Sequence, residues 1–216
     1  MQAERRALVI GGSVSGLFAA LALSRHGWDV HVFERVETEL AGRGAGIVAQ
    51  PQLWDVFAKV GIDPPSELGV PVEFRRSYDV EGGLMGEIRC PQTLTSWDRV
   101  YRLLRDAFPA TRYHRGKALV RVELRAQSVV AHFADGEIAE GDLLVGSDGL
   151  RSTVRAQILS EAVPLYAGYI AWRALVPEAA FSPATHRDLF PYLAFCHPPG
   201  EQTLGYPVAG GWQKAR

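Results

Sequence analysis

Cysteine is nearly missing from this 216-residue chain: only Cys90 and Cys196 occur, far apart and without metal-ligand spacing. That excludes a disulfide-rich scaffold and a zinc ribbon; two buried thiols in a reducing compartment are expected, with a single structural disulfide as the alternative, and no metal site. Charge of either sign is not in excess, since 23 Lys and Arg face 24 Asp and Glu for a net charge of −1. The balance supplies no field for nucleic acid or an anionic membrane. Long apolar runs are also missing. The stretch from Arg5-Arg6 to Leu23 imitates a signal peptide, but Gly11, Gly12, Ser13, Ser15 and Gly16 break it, so neither an export signal nor a membrane span is expected. The chain reads as soluble and cytoplasmic, without internal repeats. Its 47% apolar content suffices for the core of one or two domains.

The order of the segments suggests an α/β fold. Ala7-Leu8-Val9-Ile10 reads as a buried parallel strand, Val14 to His26 as a helix stopped by Gly27, and Val30-His31-Val32-Phe33 as a second strand ending at Glu34. This is a βαβ unit. A loop with Gly42, Gly44 and Gly46 precedes a helix expected over 51–60 and closed by Gly61. Residues 72–75 and 85–89 alternate apolar and polar around Glu81-Gly82-Gly83, which predicts an antiparallel hairpin. Helical spacing returns over 97–108. Strands follow within 119–133, Asp135-Gly136 makes another hairpin turn, and Leu143-Leu144-Val145 forms a further strand. From Tyr166 onward the chain is rich in aromatics and prolines, with short strand-like pieces. Two domains are expected, one from residues 1–70 and 97–160, the other from 71–96 and 161–216.

The strand at 7–10 runs into Gly11-Gly12-Ser13-Val14-Ser15-Gly16. Gly11 allows the tight turn, Gly16 allows close helix–sheet packing, and the helix N-terminus offers backbone N–H groups to a pyrophosphate. Ser13 stands where a second glycine is usual; it is small and its hydroxyl can donate to a phosphate oxygen. Glu34 lies eighteen residues beyond Gly16, placed to accept from the ribose hydroxyls of an adenosine and to repel a 2′-phosphate. Arg35 beside it can stack on or neutralise nearby groups, or stand in solvent. An ordinary glycine-rich turn is the plainer alternative, and the strand, helix and Glu34 together favour dinucleotide binding.

A second motif, Gly146-Ser147-Asp148-Gly149-Leu150-Arg151-Ser152-Thr153-Val154-Arg155, follows the strand at 143–145. Asp148, Gly149, Ser152, Val154 and Arg155 resemble the Asp-Gly motif of the FAD-dependent aromatic hydroxylases of the p-hydroxybenzoate hydroxylase type. Gly44-Ala45-Gly46-Ile47-Val48-Ala49-Gln50-Pro51 and Tyr166-Ala167-Gly168-Tyr169-Ile170-Ala171-Trp172-Arg173 are similar to the 2,6-dihydroxypyridine 3-monooxygenase branch. The resemblance implies a three-layer, Rossmann-like FAD-binding domain joined to an incomplete, mainly antiparallel substrate domain. It implies that Asp148 meets the pyrophosphate–ribityl part of FAD, that Arg155 holds the motif together, that Gly46 and Ile47 border the isoalloxazine ring, and that Leu119 lines the adenine. Read from the residues alone, Asp148 is a helix N-cap and Arg151 a surface charge. The candidate cofactor-binding set is therefore Gly11, Ser13, Ser15, Gly16, Glu34, Arg35, Gly46, Ile47, Leu119 and Asp148. Trp97 stands close to where the family has an arginine, with Arg99 and Arg102 as candidates to replace it.

The implied activity is hydroxylation of an electron-rich aromatic or hydroxypyridine-like ring with FAD, NADPH or NADH, and oxygen. No catalytic base is evident: His197 reads as structural, and Tyr169 and Trp172 read as core aromatics before pocket walls. The family's Gly-Asp-Ala-x-His motif is not found, since Gly141-Asp142 leads into a strand. A shortened hydroxylase is the first expectation. One half of a split enzyme, another flavoprotein of this fold such as a halogenase, and a non-catalytic FAD- or nucleotide-binding module or pseudoenzyme are the alternatives. A small aromatic substrate and a second copy of the chain are the expected partners.

Overall fold

The computed structural model describes residues 5–41 and 46–209. The glycines expected in a loop at 42 and 44, Ala45, and the final residues 210–216 lie outside the described residues. The elements in chain order begin with β1 (Arg6–Ile10), α1 (Val14–Arg25), β2 (Asp29–Phe33), β3 (Gly46–Ala49) and α2 (Pro51–Lys59). Next come β4 (Gly69–Tyr78), β5 (Leu84–Ser96), α3 (Trp97–Ala107), β6 (Tyr113–His114), β7 (Leu119–Leu124), β8 (Val129–Phe133) and β9 (Ile138–Gly141). The last are β10 (Leu143–Gly146), α4 (Thr153–Ile158), α5 (Pro183–Leu189), β11 (Tyr192–Cys196) and β12 (Thr203–Gly205). Residues 5–41, 56–63 and 101–171 form one compact unit; residues 46–55, 64–100 and 172–209 form the other.

The first unit is built on a parallel sheet of order β10-β1-β2-β6. Its central strand is apolar at four successive positions, and Ala7, Leu8, Val9 and Ile10 are all buried. A strand covered on both faces has no use for polar alternation. Leu8 and Ile10 join Phe33, Ala131 and Phe133 in one cluster, with the Phe33 and Phe133 rings stacked 4.7 Å apart. That cluster ties the parallel sheet to the antiparallel meander β7-β8-β9. Helix α1 packs on β1, β2 and β10 through Gly16, Leu17, Ala20 and Leu21. Helix, parallel sheet and meander make the three layers of the α/β architecture expected from the sequence.

The second unit holds a mainly antiparallel sheet of order β12-β11-β4-β5-β3, in which β11 and β4 run parallel. The hairpin β4–β5 reaches well beyond the expected residues at both ends. Residues 46–49, expected in a loop, are a strand because their backbone groups pair with Thr93–Ser96 of β5. This pairing groups 46–55 with the second unit, whereas the expected first domain ran to residue 70. Residues 161–171 fall in the first unit and carry no helix or strand. Tyr169 and Trp172, expected in a core, are exposed by 74% and 91%. Cys90 and Cys196 are free and only partly buried, where buried thiols were expected, because both lie on strands of this open sheet. Among the described residues no helix is long and apolar enough to cross a membrane, and no cluster of His, Cys, Asp and Glu could hold a metal.

Candidate cofactor site

The two glycine motifs meet in the first unit. Strands β1 and β10 pair in parallel register, Ile10 opposite Gly146, so the loops leaving them lie side by side. Ser147 closes the junction: its N–H donates to Ile10 O at 2.8 Å, and its hydroxyl reaches the carbonyls of Ile10 (2.8 Å) and Gly11 (3.0 Å). Gly11 turns with φ +103°, a conformation that side chains disfavour, and a β-carbon on it would stand 2.3 Å from Ser147 O. Gly16 lets α1 descend onto this turn, since a β-carbon there would stand 1.9 Å from Gly11 O.

Ser13 is the N-cap of α1, in extended conformation, and no side chain caps it. The first-turn N–H groups therefore keep their hydrogens for a ligand, and the helix dipole adds positive potential there. Ser13 is partly buried and Ser15 exposed. The N–H of Gly12 donates to Glu34 Oε2 at 2.8 Å and its carbonyl accepts from the Tyr113 hydroxyl at 2.9 Å. The two peptide units flanking the Gly12 α-carbon are thus each held by a side chain.

Glu34 is buried at the end of β2, and its second carboxylate oxygen accepts from Val36 N at 2.9 Å. Its backbone is fixed as well, by Glu34 N to His114 O at 2.8 Å and Lys117 N to Glu34 O at 2.9 Å. These bonds bring the 114–117 segment to the end of β2. Leu119, two residues on, starts β7, and its side chain packs against the Phe33 cluster. Arg35 is exposed.

Asp148 is committed to its own motif. Its carboxylate accepts from Thr153 N at 2.7 Å, Val154 N at 3.2 Å and the Ser152 hydroxyl, while Ser152 Oγ accepts from Arg155 N at 2.9 Å. Residue and hydroxyl together cap α4. Arg155 donates to the carbonyls of Gly149 (3.5 Å) and Leu150 (2.5 Å), so it braces the turn. Asp148 is left with its backbone for a ligand. Gly141-Asp142 has a different task, with Asp142 accepting from Arg6 N at 2.7 Å at the entry to β10.

Gly46 and Ile47 belong to the second unit, opposite Ser96 and Thr95 on β5. Arg99 donates to the carbonyl of Glu67 there. His197 is exposed and stacks on Phe195 at 6.0 Å. The structure thus brings Gly11, Ser13, Ser15, Gly16, Glu34 and Asp148 together, with Leu119 close by in sequence to the segment that holds Glu34. Tyr113 and Ser147 were not singled out from the sequence. The register of β10 with β1 would have exposed Ser147; a lone tyrosine in a two-residue strand offers no signal.

Beneath Glu34, His31 Nδ1 and His114 Nε2 lie 2.9 Å apart, and His31 Nε2 is 3.4 Å from Asp29 Oδ1. Asp29 also meets Arg6 at 3.0 Å and Arg112 at 3.2 Å. Burial first, and then His31, lowers the His114 pKa below its ordinary value.

The FAD-binding domain family matches residues 4–204. The chain belongs to that family. The 2,6-dihydroxypyridine 3-monooxygenase of Paenarthrobacter nicotinovorans is 38% identical over 172 residues, covering 79% of this chain and 43% of the relative. The 3-amino-4-hydroxybenzoate 2-monooxygenase of Streptomyces cremeus is 36% identical over 219 residues, covering 95% and 54%. Among solved structures, 2,6-dihydroxypyridine-3-hydroxylase from Arthrobacter nicotinovorans superposes with a TM-score of 0.89 at 33% identity, over 95% of this chain and 52% of that one. Klebsiella pneumoniae HpxO complexed with FAD and uric acid superposes with a TM-score of 0.66 at 29% identity, over 74% and 43%. The chain spans about half the length of the curated relatives it matches. The uncapped helix, the glycine cradle and Glu34 fit the adenosine and pyrophosphate of FAD, in keeping with the family.

Proposed function

We propose that this chain carries the FAD site and part of the substrate site of a monooxygenase that hydroxylates an electron-rich aromatic or hydroxypyridine-like ring with NAD(P)H and oxygen. The observation that carries the reading is the junction of Gly11 with Ser147-Asp148, beside a buried Glu34. A nicotinamide domain needs the first loop and the acidic residue; the second motif is what favours a flavin dinucleotide. The names of the relatives supply the reaction class.

Bound FAD supplies electron transfer from the nicotinamide and activation of oxygen. The chain's residues bind and orient. Ser13 and the N–H groups opening α1 hold the pyrophosphate, Glu34 accepts from the adenosine ribose, and the backbone at Asp148 meets the ribityl side. Gly46 and Ile47 are assigned to the edge of the isoalloxazine ring, and the backbone near Leu119 to the adenine. A cytoplasmic location suits the two unpaired thiols.

Reconstitution tests the reading. The purified chain should take up FAD with a shifted flavin absorption spectrum and discriminate against FMN, because the adenosine contacts are the best built. Electron-rich hydroxypyridines and phenols should then stimulate NAD(P)H oxidation. Failure to bind FAD sinks the proposal; FAD binding with no oxidation for any such ring favours a binding module.

A further inference from the structure

The segment 113–117 supplies three of the bonds that fix Gly12 and Glu34. The Tyr113 hydroxyl donates to Gly12 O at 2.9 Å, Glu34 N donates to His114 O at 2.8 Å, and Lys117 N donates to Glu34 O at 2.9 Å. The strand inside this segment is short. Strand β6 meets β2 through two register pairs only, Val32 with Tyr113 and Phe33 with His114. So brief a pairing opens readily unless side chains hold it. On the side facing the meander, the Phe33 ring stacks on His114 at 4.9 Å, and His31 Nδ1 meets His114 Nε2 at 2.9 Å with the two rings within 13° of parallel.

The contact between the two rings has room for one hydrogen. A hydrogen bond needs one nitrogen that donates and one that accepts. His31 Nε2 faces Asp29 Oδ1 at 3.4 Å, which favours a hydrogen on that nitrogen. The pair can then hold one extra proton, with His31 donating to Asp29 on one side and to His114 on the other. A second proton sets two hydrogens face to face and two positive rings in contact. The surrounding charges are already engaged. Asp29 also serves Arg6 and Arg112, while Glu137 and Asp135, beside His114, both hold Lys117. Burial first, and then His31, accordingly keep His114 below its ordinary pKa.

We propose that His31 and His114 are positioning residues for the dinucleotide: their contact holds the 113–117 segment against Gly12 and Glu34, and a second proton on the pair opens that segment and releases the ligand. The proposal rests on the assignment of Glu34 to the adenosine of FAD. It adds an acid-triggered release that the reaction class does not require.

The test titrates the full chain with FAD, whose pyrophosphate keeps its charge throughout, from neutral pH into the acid range below about pH 6.5. Flavin fluorescence should show affinity falling about tenfold, the scale of one hydrogen bond to a charged group. His114→Gln keeps a hydrogen-bonding side chain that takes no proton, so it should bind as the parent does at neutral pH and lose less than about twofold in acid. His31→Gln should behave alike. Phe133→Leu separates a merely structural role, because it thins the stack under Phe33 without touching either imidazole; it should melt lower and keep the parent's pH profile. Hydrogen exchange of the flavin-free chain gives a second readout. Corrected for its intrinsic pH dependence, exchange at the Glu34 and Lys117 amides should quicken in acid, and not in His114→Gln. An affinity that holds through the acid range overturns the proposal, as does an equal fall in His114→Gln, or a fall in Phe133→Leu that deepens in step with its melting temperature. The two readings fail separately. A chain that never binds FAD, yet opens at Glu34 and Lys117 in acid, removes the flavin assignment alone; one that binds FAD equally at every pH removes this inference alone.

Discussion

Gly11 and Ser147 touch backbone to backbone, with no room for a single carbon between the Gly11 α-carbon and the Ser147 carbonyl oxygen. The contact welds a strand–turn–helix to a strand–turn–helix far away in the chain. Gly11→Ala must push one loop off the other and adopt a disfavoured φ, and Gly16→Ala must lift α1 from the turn. Each should lower unfolding stability by about 1–3 kcal/mol, the range for overpacking a tight site. Urea unfolding measures the loss, and flavin titration should show FAD affinity falling in parallel.

Glu34 keeps both carboxylate oxygens on backbone N–H groups, of Gly12 and Val36. Glu34→Gln replaces one acceptor by a donor that faces another donor. FAD and ADP should both bind about 10–100-fold more weakly, from the loss of hydrogen bonds to a charged group worth ~1.5–3 kcal/mol. Fluorescence titration with both ligands checks it; unchanged ADP affinity would detach Glu34 from the adenosine.

Asp148 and Ser152 cap α4 jointly. Asp148→Ala or Ser152→Ala should each cost about 0.5–2 kcal/mol. The double variant should lose less than the sum, since Ser152 donates to Asp148 and each loosens the other. Chemical denaturation of the three variants settles it.

His114 gives the first unit a pH dependence whose sign follows from its lowered pKa. An unfolded histidine takes a proton near pH 6.5, while the folded one resists because it is partly buried and shares its Nε2 with His31. The facing groups are His31, Asp29, Glu137 and Lys117. The unfolded state therefore binds more protons as the pH falls below about 6.5, and stability declines in that direction until the folded pKa is reached. His114→Gln should flatten the slope below about pH 6.5, measured as unfolding midpoints from neutral pH into the acid range.

The βαβ unit was legible because its signals are local. An unbroken apolar run marks β1, and Gly27 stops α1 at φ +76° as a C-terminal glycine should. Asp148 and Arg155 could be read because they act within their own ten residues. Strand β3 was not legible: four residues after a glycine-rich stretch look like loop, and only pairing with β5 makes them a strand. Helix α5 was passed over although Ser182 caps it through Thr185 N at 3.1 Å. A seven-residue helix among prolines shows too little periodicity. Tyr113 was invisible for a different reason, because its hydroxyl serves Gly12 from 101 positions away.

The partnership of β1 with β10 also sets the order in which the molecule can be made. Strand β1 leaves the ribosome well before β10, the neighbour on one of its edges, which ends only at Gly146. Until then that edge is unpaired, and closing so long a loop is entropically costly and slow. The nascent chain can form α1 and β2 at once, but the nucleotide cradle assembles only after Ser147 has emerged. A ribosome stalled before that residue would hold a chain with the glycine fingerprint complete and nothing for it to fold against. Flavin capture during synthesis should therefore begin late and abruptly.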